Sequence, residues 1–131
     1  MTKYVLAPDS FKESMTAKEV CEAMEKGILK ADPTAEIVKV PMADGGEGTV
    51  DSLVDATHGK RVYLNVKGPL NQKVQAYYGI LGDKRTAIIE MAKASGLELL
   101  TPNLRNPAKA TTYGTGQLIK DALDQGMKRI I

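Results

Sequence analysis

The residues best suited to chemistry lie between Pro41 and Asp51, in the stretch Pro-Met-Ala-Asp-Gly-Gly-Glu-Gly-Thr-Val-Asp. Gly45, Gly46 and Gly48 fall within four positions, with Asp44 before them and Glu47 among them. An apolar run, Ile37 to Val40, comes before, and a helix-like run with Val50, Leu53 and Val54 follows. Strand, glycine-rich turn, helix is the order that aims free backbone N–H groups at an anion. It is not the Walker pattern, because no Gly-Lys-Ser/Thr follows. A pure phosphate cradle would avoid carboxylates. Two of them beside an anion site point either to a magnesium ion or to proton transfer.

Two further stretches carry polar groups at strand or helix ends. Pro8-Asp9-Ser10-Phe11-Lys12 breaks a first apolar run, and Thr111-Thr112-Tyr113-Gly114-Thr115-Gly116 leads into a helical pattern. Thr112, Thr115 and Gly116 open that helix, where a second anion site can form. Each residue also has a plainer reading. Asp9 and Ser10 suit a turn, Lys12 a solvated surface, and Thr111 and Thr112 a helix cap. Glu90 reads as an exposed acid at a helix start and His58 as a cation near a helix C-terminus. Tyr77 and Tyr78 read as strand packing.

The elements that position these groups follow from periodicity. Tyr4 to Ala7 reads as a central strand. Thr16 caps a helix, and Glu19 completes a capping box. Ala17, Val20, Cys21, Met24 and Ile28 make its buried stripe, and Asp32-Pro33 ends it. Glu36 to Val40 is the next strand. Strand–helix–strand–helix over the first ~60 residues argues for a parallel sheet with right-handed crossovers. Arg61–Val66, Val74–Leu81 and Thr86–Ile89 then read as an antiparallel meander, with a tight hairpin at Gly82-Asp83. Glu90 to Ser95 is a short helix ended by Gly96. Leu97 to Ala110 is a linker, Gln117 to Gln125 a helix, Gly126 its C-cap, and Lys128 to Ile131 a new strand.

Bulk properties narrow the class. The chain has 131 residues, 43% hydrophobic and 26% charged, which suits an ordinary soluble domain. A formal net charge of +2 from scattered basic residues gives no nucleic-acid footprint. No run approaches the ~20 apolar residues of a membrane span, and none suits a signal peptide. The single Cys21 cannot form an internal disulfide, and a reducing cytoplasm fits it. The sequence stops on Arg129-Ile130-Ile131, the opening of a strand. The expectation is therefore a front part of a longer protein with a missing C-terminal portion. The unfinished edge also raises self-pairing into a homo-oligomer.

Together the Ala7–Lys12, Ala43–Thr49 and Thr111–Gly116 stretches resemble the bacterial glycerate kinase family, type 1. Glu90-Met91-Ala92 with Ala94-Ser95-Gly96-Leu97 also looks like a family segment. The resemblance covers the whole chain in the family's order. It implies phosphorylation of D-glycerate with ATP and Mg2+, by two α/β domains, one Rossmann-like and one inserted into it. The expected fold class is thus α/β, a Rossmann-like parallel sheet with helices plus a β-rich segment of a second α/β domain. Residues 1–60 and 97–131 would form the first and 61–96 the second.

There are two departures. Glu13 stands where the family usually has glycine, and family members are longer, with a second glycine-rich stretch after the strand that begins here.

The strand-end loops after Ala7 and Val40 should share one sheet edge, where open α/β sheets bind ligands. On this reading Asp44 is general base or magnesium ligand. Lys12 neutralises a carboxylate or phosphate, and Ser10 donates a hydrogen bond. Asp9 and Glu47 line the crevice, while Gly45, Gly46 and Gly48 open backbone N–H groups to an anion. The other reading is a non-catalytic α/β module, or fragment, binding a small carboxylated or phosphorylated ligand.

Overall fold

The computed structural model describes residues 1–131. They form two compact units, Met1–Ser52 and Leu53–Ile131.

The first unit holds β1 (Lys3–Leu6), α1 (Ala17–Ala31) and β2 (Glu36–Lys39). β1 and β2 pair in parallel from Lys3↔Glu36 to Leu6↔Lys39, with α1 as the crossover. The capping box forms as expected. The Glu19 N–H donates to Thr16 Oγ1 at 3.3 Å, and the Thr16 N–H donates to Glu19 Oε2 at 2.8 Å. Those bonds hold the Glu19 carboxyl below its ordinary range. Val20 and Cys21 are buried, and the Cys21 thiol reaches the Leu6 carbonyl at 3.6 Å. Burial pushes that thiol's pKa up. The apolar stripe is narrower than its spacing suggests, because Met24 is 42% exposed. Two strands cover a strip only ~5 Å wide between axes, so α1 buries about one turn of the stripe.

Helix α2 (Thr49–Ala56) spans the division between the units. The second unit holds β3 (Lys60–Lys67), β4 (Lys73–Ile80), β5 (Thr86–Ile88), α3 (Ala92–Ser95), α4 (Tyr113–Asp124) and β6 (Arg129–Ile130). Two 3-10 turns, Leu97–Leu99 and Pro102–Leu104, shape the segment between α3 and α4. The sheet order is β3-β4-β5-β6, the first three antiparallel and the last pair parallel. Val62, Leu64 and Val66 alternate with exposed Tyr63, Asn65 and Lys67, the period-2 signature of a half-buried strand. The core gathers Val66, Ala76, Tyr78, Ile80, Ala87, Ala94, Leu118 and Ala122. Tyr78 is fully buried, and its hydroxyl donates to Asp121 Oδ2 at 2.9 Å. Burial first, then that bond, raise the phenol's pKa.

The α/β class expected from the sequence is the class observed. The sequence grouped 1–60 with 97–131 and set 61–96 apart. In the structure β6 pairs with β5, at Thr86↔Arg129 and Ala87↔Ile130, so β3, β4, β5 and β6 share one sheet. Parallel neighbours need a crossover of about a dozen residues or more, and the segment carrying α4 supplies it. Helix α4 also starts at Tyr113, four residues before the expected Gln117. The Tyr113 N–H donates to Thr111 Oγ1, and Gly114 packs on β3, so tertiary contact overrides glycine's poor helix propensity.

Candidate functional site

The first unit places two loops side by side at the carboxyl ends of β1 and β2. The Val40 N–H donates to the Leu6 carbonyl at 2.7 Å, continuing the ladder. The Met42 N–H then donates to the Pro8 carbonyl at 3.0 Å, which stitches the second loop to the first. Asp9, Ser10 and Lys12 thus lie on the loop beside the one that carries Asp44 to Gly48.

Each loop is shaped by its own backbone. In the first, the Ser10 N–H donates to Asp9 Oδ1 at 2.6 Å, and Phe11 to Met15 close a tight turn. Glu13 sits inside that turn at φ 59°, in the left-handed region that glycine adopts most cheaply. This is why glycine suits the position and why Glu13 is strained there. In the second, Gly45 and Gly48 take φ 101° and 87°, values that L side chains rarely adopt. The Gly46 N–H donates to Asp44 Oδ1 at 3.1 Å, an Asx turn that orients the carboxylate.

The loop leaves donors and charges unspent. The N–H groups of Gly45, Glu47 and Gly48 donate to no protein acceptor. The side chains of Ser10, Lys12 and Glu47 are likewise without protein partners, and Asp9, Lys12, Asp44 and Glu47 are exposed. Open space surrounds Gly45 and Gly48, with nothing within 4 Å of either Cβ position. Three free N–H groups within four residues can meet anionic oxygens, and Lys12 on the adjoining loop carries a cation. One oxygen of Asp44 is left to accept a proton or meet a cation.

Thr49 escaped the sequence reading. Its Oγ1 is buried without a hydrogen-bond partner at the first position of α2, directly after the glycine turn. Its place at a helix start, directly after three glycines, is the signal by which it could have been found.

The third motif is built differently. The Thr115 and Gly116 N–H groups donate to the Thr112 carbonyl at 3.0 and 3.3 Å. The Thr115 hydroxyl shares a hydrogen bond with Ser95 Oγ at 2.9 Å. A Cβ on Gly114 would lie 2.0 Å from the Lys67 carbonyl oxygen. Gly114 is spent on packing, while the Thr112 hydroxyl makes no capping bond and the Gly114 N–H has no protein acceptor. This helix start lies in the second unit, whereas the two loops lie in the first. Glu90 also departs from expectation. It is 4% exposed rather than solvated, at the end of β5, with Lys93 Nζ 3.6 Å away and lying over the Tyr77 ring. An ion pair makes such burial tolerable.

Comparison with known proteins bears on the whole chain. The model of the glycerate kinase family matches residues 4–131. The chain is 59% identical over 129 residues to the glycerate kinase of Haemophilus influenzae, covering 98% of this chain and 34% of that protein. It is 53% identical over 129 residues to the glycerate 2-kinase of Escherichia coli (strain K12), again covering 34% of it. A crystal structure of a protein assigned as glycerate kinase 2, from Salmonella typhimurium LT2, matches with a TM-score of 0.75 and 52% identity. That match covers 99% of this chain and 35% of the other. The chain therefore spans about a third of the length of the curated relatives it matches. No helix is long and apolar enough to cross a membrane. By its motifs, its fold and these matches, the chain belongs to the glycerate kinase family.

Proposed function

We propose that this chain supplies the glycerate-holding part of an enzyme that phosphorylates D-glycerate with ATP. The observation that carries the reading is the Met42-to-Pro8 hydrogen bond, which sets the Asp44–Gly48 loop against the Asp9–Lys12 loop. The free N–H groups of Gly45, Glu47 and Gly48 hold anionic oxygens, and Gly46 sets the turn. Lys12 neutralises the glycerate carboxylate or a phosphate. Ser10 donates to the substrate, and Asp9 fixes Ser10's backbone. Asp44 accepts the proton of the attacking hydroxyl, its carboxylate held in place by the Gly46 N–H.

Phosphoryl transfer is mostly positioning and charge neutralisation, so unspent donors and an oriented base are what this chain must provide. No group of three or more His, Cys, Asp or Glu residues is placed to hold a metal ion. Asp44, with one oxygen free, and Glu47 are the residues that would hold a magnesium ion arriving with ATP, for which one or two carboxylates plus phosphates suffice. Such an ion would neutralise charge on the transferred group. A cytoplasmic setting belongs to this reading, and the buried, unbridged Cys21 supports it.

One observation favours a second reading, ligand binding without turnover: the chain spans about a third of its relatives' length. A coupled assay with D-glycerate, ATP and magnesium, run beside a direct glycerate-binding measurement, separates the two. Turnover abolished by Asp44→Asn supports the kinase reading, and saturable binding without turnover supports the second. Turnover retained within a few-fold by Asp44→Asn rejects Asp44 as the base. The absence of both binding and turnover rejects the site.

A further inference from the structure

The second unit carries a groove that the glycerate reading leaves unused. It has a volume of about 420 Å³ and is formed where α2 ends, β3 begins, the β4–β5 hairpin turns and α4 ends. That volume falls in the range of small-molecule sites, roughly 300–1,000 Å³. Ile80, Leu81 and Met127 give it an apolar floor, and His58, Lys60, Lys84 and Gln125 a polar rim.

The charge of this rim is unbalanced. No carboxylate lines the groove. The side chains of His58, Lys60 and Lys84 have no hydrogen-bond or ion-pair partner, whereas Lys3, Lys39, Lys93 and Lys120 each have a carboxylate. The nearby acids are committed elsewhere. Asp83 accepts from the Arg85 and Thr86 N–H groups and the Thr86 hydroxyl. Asp55 is paired with Arg61, and Asp121 accepts from Tyr78 and Gln125. The ends of α2 and α4 offset the rim with about half a negative charge each, which leaves the two lysines in excess.

The frame is rigid. A Cβ on Gly59 would lie 2.2 Å from the Ile80 carbonyl oxygen, and one on Gly82 1.9 Å from that of Thr57. These contacts lock the end of α2 onto the hairpin. His58 and Lys84 are both held in left-handed conformations, at φ 53° and 56°, and such strain gathers at ligand clamps.

We propose that this groove binds a small dianion of the phosphate-monoester type through Lys60, Lys84 and His58. Inorganic phosphate is the probe, titrated into the 131-residue chain at constant ionic strength with chloride as the control. The expected result is saturable amide shifts at His58–Lys60 and Leu81–Lys84. Lys60→Gln and Lys84→Gln each weaken that binding about tenfold, as loss of a charge-assisted bond implies. Both positions are exposed, and an unchanged spectrum elsewhere verifies folding. Equal shifts with chloride, shifts confined to Gly45–Gly48, or undiminished affinity in both variants would overturn the proposal. The outcome does not depend on whether glycerate binds the first unit.

Discussion

Two glycine-bearing helix starts in this chain, Ala43–Thr49 and Thr111–Gly116, look alike in sequence and are built for different tasks. In the first, glycines serve the backbone: two take positive φ, and three N–H groups have no protein acceptor. In the second, Gly114 serves packing against the Lys67 carbonyl, and the Tyr113, Thr115 and Gly116 N–H groups are spent on Thr111 and Thr112. A glycine at a helix start therefore has two meanings. What separates them is whether its missing Cβ faces solvent or another strand.

The sharpest way to break this contrast is to add the missing methyl groups. Gly114→Ala puts a carbon against backbone that cannot retreat, and we expect it to cost roughly 1–3 kcal/mol in denaturant unfolding. Gly116→Ala, two residues on and with nothing within 4 Å, should instead gain about 1 kcal/mol from helix propensity. Equal effects at the two sites would undo the packing assignment. Gly45→Ala meets no atom but is held at φ 101°. It should lose about 1–2 kcal/mol through backbone strain alone, and lose glycerate affinity as the N–H groups turn away. Unchanged affinity would detach the loop from binding.

Glu13→Gly relieves the left-handed strain in the neighbouring loop. Part of that gain is offset by the greater freedom of unfolded glycine, leaving a rise of about 0.5–1 kcal/mol. A fall in stability would mean that the Glu13 side chain makes a contribution larger than its strain.

The aspartates show the same contrast on a smaller scale. Asp44 accepts one backbone bond and keeps an oxygen free, whereas Asp83 accepts three bonds across both oxygens. Asp83 is held down at about 2, first by the Thr86 hydroxyl and then by the Arg85 and Thr86 N–H groups. Its folded pKa lies below the ordinary aspartate value of 3.8, so its contribution is present above that pH and is lost as pH falls through about 2. A carboxyl titration by NMR with a midpoint near 3.8 for Asp83 would contradict this.

Much of this was legible in the sequence because it is local. The capping box at Thr16 and Glu19, the Asp32-Pro33 stop and the glycines of the Asp44 turn depend on neighbours within four residues. The alternation of Val62, Leu64 and Val66 likewise identified β3. What was hidden depends on distant partners. The β5–β6 pairing joins residues some forty apart. Gly114 is explained only by Lys67, and the burial of Glu90 only by the end of β5 and Lys93. Glu13 stood out by its residue type, but its φ of 59° supplied the reason.

The most direct test is a titration of the ¹⁵N-labelled chain with D-glycerate, following each backbone amide. The two-loop account predicts saturable shifts at Ser10, Lys12, Gly45, Glu47 and Gly48, with Gly114, Thr115 and Gly116 unmoved. Shifts centred on Gly114–Gly116 with a silent Gly45–Gly48 loop would contradict it.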